Sequence, residues 1–157
     1  MKEVENYFLD WEDYNCFACD PNHTHGLRMK FLYDEETGIV SSKIEPRPDL
    51  EGYPGLLHGG IQTTILDEVG FWALTSITNK IAVTVKIMVE FVKPVSGRIP
   101  LIAKAKLTRE RGKIAYVDAW LEESSGKVLS KAEIVYFITS KDKIEDALKR
   151  ELDNEKP

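Results

Sequence analysis

His58-Gly59-Gly60 opens the most apolar stretch of this chain, and after six intervening residues Asp67 and Glu68 interrupt it. Glycines at the start of a helix leave backbone N–H groups unpaired at the positive end of the helix dipole, and a ligand can approach them closely. A carbonyl oxygen resting on such a donor, at Gly59 or Gly60, is polarised, and it is stabilised further as negative charge develops on it. A carboxylate on the same element supplies the other half of acyl-transfer chemistry. Asp67 can activate water as a general base or attack as a nucleophile. Thr64 lies one turn before Asp67 on the same helix face and is placed to orient it. Glu68 points about 100° away from Asp67 and is expected to pair with a base or to face a subunit contact. Burying a carboxylate is costly, and building a fold gives no reason for one here.

The spacing also sets a limit. Seven residues at about 100° each return Asp67 to within roughly 20° of the face of Gly60, but about 10 Å further along the axis. One copy of the helix therefore does not bring its own carboxylate to its own N-terminus. Two antiparallel copies related by a two-fold axis would, which predicts a homodimer with shared active sites.

The elements that must position these groups can be read from periodicity. At 157 residues, with 43% apolar and 30% charged residues, the chain suits one soluble domain over 1–157. Residues 1–25 form an N-terminal segment, and 141–157 read as an exposed C-terminal helix and charged tail. GLRMKFLY (26–33) and GIVSSKIE (38–45) read as an opening hairpin, and the proline-rich 46–55 as an irregular loop. From Gly59 to about Thr78 apolar residues fall almost all round a helical wheel, which marks a buried helix. Four alternating strands follow, at 81–95, 99–110, 113–123 and 127–139, with short separators that predict an antiparallel meander. The fold class is therefore α+β, with a curved antiparallel sheet of about six strands wrapped around one long central helix.

That arrangement is the hotdog fold. His-Gly-Gly, six residues, then Asp, followed by a strand ending in Lys93-Pro94, resembles the hotdog-fold acyl-CoA thioesterases of the phenylacetate-degradation type. Cys16-Phe17-Ala18-Cys19 with Asn22 and Gly26-Leu27 is similar to the subgroup related to the human thioesterase superfamily members four and five. The resemblance implies hydrolysis of an acyl-CoA to free acid and CoA. It points to Gly59 as the carbonyl donor, with Gly60 beside it at the substrate, and to Asp67 as base or nucleophile. His58 would shape the site, and Thr84 would contact the attacking water. It implies a homodimer, expected to pair into a tetramer, and no cofactor beyond the CoA of the substrate. Arg109, Arg111 and Lys113 around one turn, and Lys93 and Arg98 around another, are candidates for the CoA phosphates. Phe71, Trp72 or Leu56 would line the acyl cleft.

Two departures stand out. Many relatives carry Asn where this chain has Gly52, and Asp20 stands where the cysteine motif usually has Gly. Cys16, Cys19, His23 and His25 put four residues of zinc-ligand type within ten positions. The family resembled needs no metal, however, so buried thiols and no metal are expected.

A net charge of −5 argues against nucleic acid. The acidic N-terminus has no signal-peptide pattern, no apolar run reaches a membrane span, and two cysteines make no disulfide framework, so a cytoplasmic protein is expected. A non-catalytic acyl-CoA-binding hotdog is the alternative. A hydratase would need a histidine on or near the central helix, and none follows His58.

Overall fold

The computed structural model describes residues 1–154. The central helix, α1 (Gly59–Thr78), has the limits expected from the sequence. Asn79 closes it in the left-handed conformation, with its N–H on the Thr75 carbonyl. Around it runs a seven-stranded antiparallel sheet. The strands are β1 (Lys2–Glu3), β2 (Leu32–Asp34), β3 (Ile39–Ile44), β4 (Ile81–Phe91), β5 (Leu101–Arg111), β6 (Ile114–Glu123) and β7 (Val128–Thr139), in the order β1-β2-β3-β5-β6-β7-β4. A second helix, α2 (Lys141–Asn154), buries none of its residues; 155–157 of the expected tail lie outside the described residues.

Alanines 103, 105, 115, 119 and 132 give the sheet a low inner surface on which α1 lies. Contact is closest at Gly70, where an added Cβ would meet the Tyr136 hydroxyl at 2.7 Å and Ile134 Cδ1 at 2.8 Å. Ile65, Leu66, Val69, Trp72, Ala73 and Leu74 fill the space between the layers. Burial is not uniform around the helix, however: Ile61, Thr64, Asp67, Glu68 and Phe71 are only half-buried, and Ile77 is exposed.

Three expectations need correction. The four late strands do not form a meander. Only β5, β6 and β7 do, while β4 lies at the far edge against β7. The segment after Phe91 is not a hairpin turn but a nine-residue crossing. It is tied to the loop before α1 by Leu57 N–H on the Val95 carbonyl and by the Leu56–Ser96 bridge, and it returns the chain to the sheet centre beside β3. The first hairpin strand is only Leu32–Asp34. Residues before it bond the N-terminal segment instead, through Leu27 N–H to Phe17 O and Met29 N–H to Ala18 O, with Arg28 at φ 53°. The short strand β1, pairing with β2, brings the sheet of about six expected strands to seven.

β4 carries one irregularity that matters for the site. Thr84 pairs with Tyr136 and Lys86 with Val135, so Val85 is a bulge. Ala82 and Thr84 face the helix before it, and Ile87, Val89 and Phe91 after it.

Candidate active site

The N-terminus of α1 is built by His58. Its backbone is extended, and its Nδ1 accepts the Gly60 N–H at 2.8 Å, making it the helix N-cap. The Gly60 donor is therefore occupied. The Gly59 N–H has no acceptor among the described residues, so of the two glycines only Gly59 offers a free donor. The edge of the Phe91 ring stands 3.4 Å from where a Gly59 Cβ would be. Gly52 packs against His58, where an added Cβ would stand 3.2 Å from His58 Cδ2, and its own N–H goes to the Leu56 carbonyl. An open groove of about 840 Å³ lies here, lined by Gly52, Leu56, His58, Gly59, Phe91 and Lys93 among others.

Asp67 sits at mid-helix. Thr84 donates its hydroxyl to Asp67 Oδ1 at 2.7 Å. Tyr136 donates to the Asp67 carbonyl at 2.7 Å, with Oδ1 at 3.3 Å. Both side-chain contacts fall on Oδ1, so Oδ2 is left for another partner. No cation pairs with this carboxylate among the described residues. Burial raises its pKa, and the Thr84 and Tyr136 hydrogen bonds work against that rise. Tyr136 is fully buried, and its own pKa is pushed well up by burial and by the neighbouring Asp67. Sequence reasoning had not singled it out. Its signal was a tyrosine in phase with Ala132 and Ile134, whose hydroxyl had to find a partner inside.

Other expected residues are distributed differently. Thr64 gives its hydroxyl proton to the Gly60 carbonyl at 3.0 Å and makes no bond to Asp67. Phe71 packs on Phe8 and Trp72, both with ring centroids at 5.7 Å. Trp72 is completely buried and belongs to the core, whereas Leu56 lines the groove. Arg98 faces Glu51 at 3.7 Å. Arg109 covers the Tyr116 ring at 4.3 Å, and Arg111 and Lys113 flank the β5–β6 turn. That turn is at the α1 C-terminal end, where Lys80 bonds Glu110, so within one chain these cations are remote from Gly59. Lys93 alone among the basic candidates lines the groove.

Among the described residues Glu68 pairs with no base, the first of its two expected roles. It is held by Trp72 Nε1–H on Oε1 at 2.9 Å and faces Cys16 and Cys19 of the N-terminal segment. Burial raises its pKa to about 7. His23 and His25 stay apart from the two thiols: His23 packs edge-on against Phe17 and takes the His25 N–H. Asp20 is buried and caps its own turn, accepting from Asn22 N–H at 2.8 Å.

Comparison with known proteins agrees with this architecture. A candidate esterase of Thermoplasma acidophilum, Ta0293, is 28% identical over 131 residues, covering 83% of this chain and 98% of that protein. Among solved structures, the thioesterase superfamily protein RHA08564 matches with a TM-score of 0.72 at 19% identity, over 78% of this chain and 62% of its own length. The smu.793 protein of Streptococcus mutans, solved bound to acetyl CoA, matches with a TM-score of 0.64 at 21% identity, over 76% of this chain and 98% of its own. The family model described as thioesterase superfamily matches residues 54–130, from the loop before α1 through the start of β7. In its hotdog architecture, and in sequence over residues 54–130, this chain is similar to the thioesterase superfamily.

Proposed function

We propose that this protein is an acyl-CoA thioesterase working as a homodimer with shared active sites. The observation that carries this reading is Asp67: among the described residues it is a half-buried carboxylate that no cation pairs, held through one oxygen by Thr84 and Tyr136, on the helix whose Gly59 N–H has no acceptor. The thioester carbonyl accepts from Gly59 N–H, and the carboxylate of the partner subunit's Asp67 faces its carbonyl carbon. Acting as a base, Asp67 takes a proton from water as the hydroxide oxygen bonds to the carbonyl carbon. The C–S bond then breaks and the CoA sulfur leaves with a proton. Acting as a nucleophile, the same carboxylate would form a mixed anhydride that water opens. Either route builds negative charge on the oxygen at Gly59.

The coenzyme half of the substrate is suggested by the acetyl CoA in the Streptococcus mutans neighbour and by Lys93 at the groove. The unpaired edge of β4, with Val83, Val85, Met88 and Phe91 exposed, is where a second copy would add its own β4. That pairing runs the two helices antiparallel and brings the β5–β6 turn of one chain toward the groove end of the other, where Arg109 and Arg111 join the candidates for CoA phosphates.

The test is thiol release from short, medium, long and aromatic acyl-CoAs, comparing wild type with Asp67→Ala at equal folding. Hydrolysis by the wild type and a loss of at least about a hundredfold in the variant are expected. Acyl-CoA binding with no thiol released by either protein would overturn the enzymatic reading in favour of a binding protein.

A further inference from the structure

About 100° around α1 from Asp67, the helix meets the N-terminal segment at Glu68, which faces Cys16 and Cys19, three side chains that the hydrolytic site does not use. We infer that Cys16, Cys19 and Glu68 form a zinc site that fastens this segment to the central helix, with a water molecule as fourth ligand. Their ligand atoms, two sulfurs and a carboxylate oxygen, all lie within 4.8 Å of one another. In a tetrahedral zinc site with Zn–S near 2.3 Å and Zn–O near 2.1 Å, ligand atoms are roughly 3.5 to 3.8 Å apart. The observed spread exceeds that distance by about 1 Å at most, which rotation of the side chains would close on binding.

Three features make this a prepared site rather than a chance cluster. The Cys-x2-Cys turn is fixed by its backbone: Asp20 N–H bonds Cys16 O at 3.1 Å, and Leu27 and Met29 bond the carbonyls between the cysteines. Gly26 is required there, because a Cβ would lie 2.4 Å from the Phe17 oxygen. Second, Glu68 is half-buried without a lysine, arginine or histidine partner among the described residues, an arrangement that costs an anion part of its hydration and that a divalent cation would correct. Trp72 holds Oε1 and leaves Oε2 to ligate. Third, the outer partners are in place. Asn6 Nδ2 donates to the Tyr14 hydroxyl at 3.2 Å, which turns that hydroxyl's proton toward Cys19 Sγ at 2.9 Å, the hydrogen bond a metal-bound thiolate accepts. Both cysteines are free thiols, and metal binding would release their protons to solvent. Cys-x2-Cys supplies two soft ligands, and Glu68 completes a set suited to zinc.

The test uses the untagged full chain, reduced and purified without chelator. One zinc ion per chain by elemental analysis is expected, and cobalt(II) titration of the metal-free protein should give a thiolate-to-cobalt absorption band that saturates at one equivalent. Cys16→Ser with Cys19→Ser should abolish the band, while Glu68→Gln should keep it with affinity weakened at least about tenfold. A reduced wild type that shows neither zinc nor the cobalt band overturns the proposal, whether or not the serine variant folds. Undiminished cobalt affinity in Glu68→Gln overturns the assignment of the glutamate.

Discussion

Gly59 is the first helical residue of α1, the one position in a helix where proline is favoured and where the missing N–H breaks no helical hydrogen bond. Its predecessor His58 is already extended, at ψ 135°, as a residue before proline must be. Gly59→Pro therefore removes the proposed carbonyl donor while leaving the helix intact. Turnover should fall by about 10² to 10³ with an unchanged circular dichroism spectrum; near-wild-type turnover would move the donor elsewhere. Asp67 makes the complementary case. Burial raises its folded-state pKa, so the native chain holds that proton more tightly than the unfolded chain. The ionised group then weakens the fold as pH rises from its ordinary value through the raised one. Asp67→Asn should be inactive yet melt about 2 to 4 °C higher at pH 7, roughly 1 kcal/mol for a chain of this size. That advantage should vanish below about pH 3.9, the ordinary carboxylate value. Equal melting at both pH values would show that the charge costs nothing. Gly59 and Asp67 were legible because their types and spacing are local. Tyr136 was not, because its role depends on pairing with Thr84 across two strands 52 positions apart.

At the scale of elements, α1 could be delimited from sequence by its glycine start, its unbroken apolar run and the period change after Asn79. The sheet order could not. Whether the strand after the helix pairs with its successor or with the last strand is decided by how far α1 carries the chain across the sheet, and alternation within a strand does not encode its neighbour. Nor did the bulge announce itself, since Val85 is neither glycine nor proline. The helix–sheet distance is set at Gly70, where the Tyr136 hydroxyl and Ile134 would collide with a Cβ. Gly70→Ala should lift α1 away from β7, costing about 1 to 3 kcal/mol of stability in urea unfolding. It should lower turnover as well, because the same displacement draws Asp67 from Tyr136. A stable, fully active Gly70→Ala protein would mean that the contact relaxes freely.

For the whole molecule, the decisive issue is whether one chain holds a complete site. If Gly59 of one chain works with the partner's Asp67, two inactive proteins can repair each other. Mixed and refolded, Gly59→Pro and Asp67→Ala form heterodimers in which one site has both native groups and the other has neither. Random pairing makes half of the dimers mixed, so about a quarter of wild-type activity per chain should return. No recovery, with heterodimers verified by native mass spectrometry, would confine the site to a single chain. None of the described helices is long and apolar enough to cross a membrane. The N-terminal segment docks on the central helix, where Phe8 packs on Trp72 and Phe71. The sequence could not place that segment, because the docking partners of Phe8 on α1 lie more than sixty positions away. The bulge at Val85 has a meaning at this scale too. Thr84 and Phe91 are seven residues apart, an odd interval that strict alternation would send to opposite sides, yet one touches Asp67 and the other Gly59. One surplus residue thus acts as a phase shifter, allowing a single strand to serve as a ruler that spans both stations of the helix.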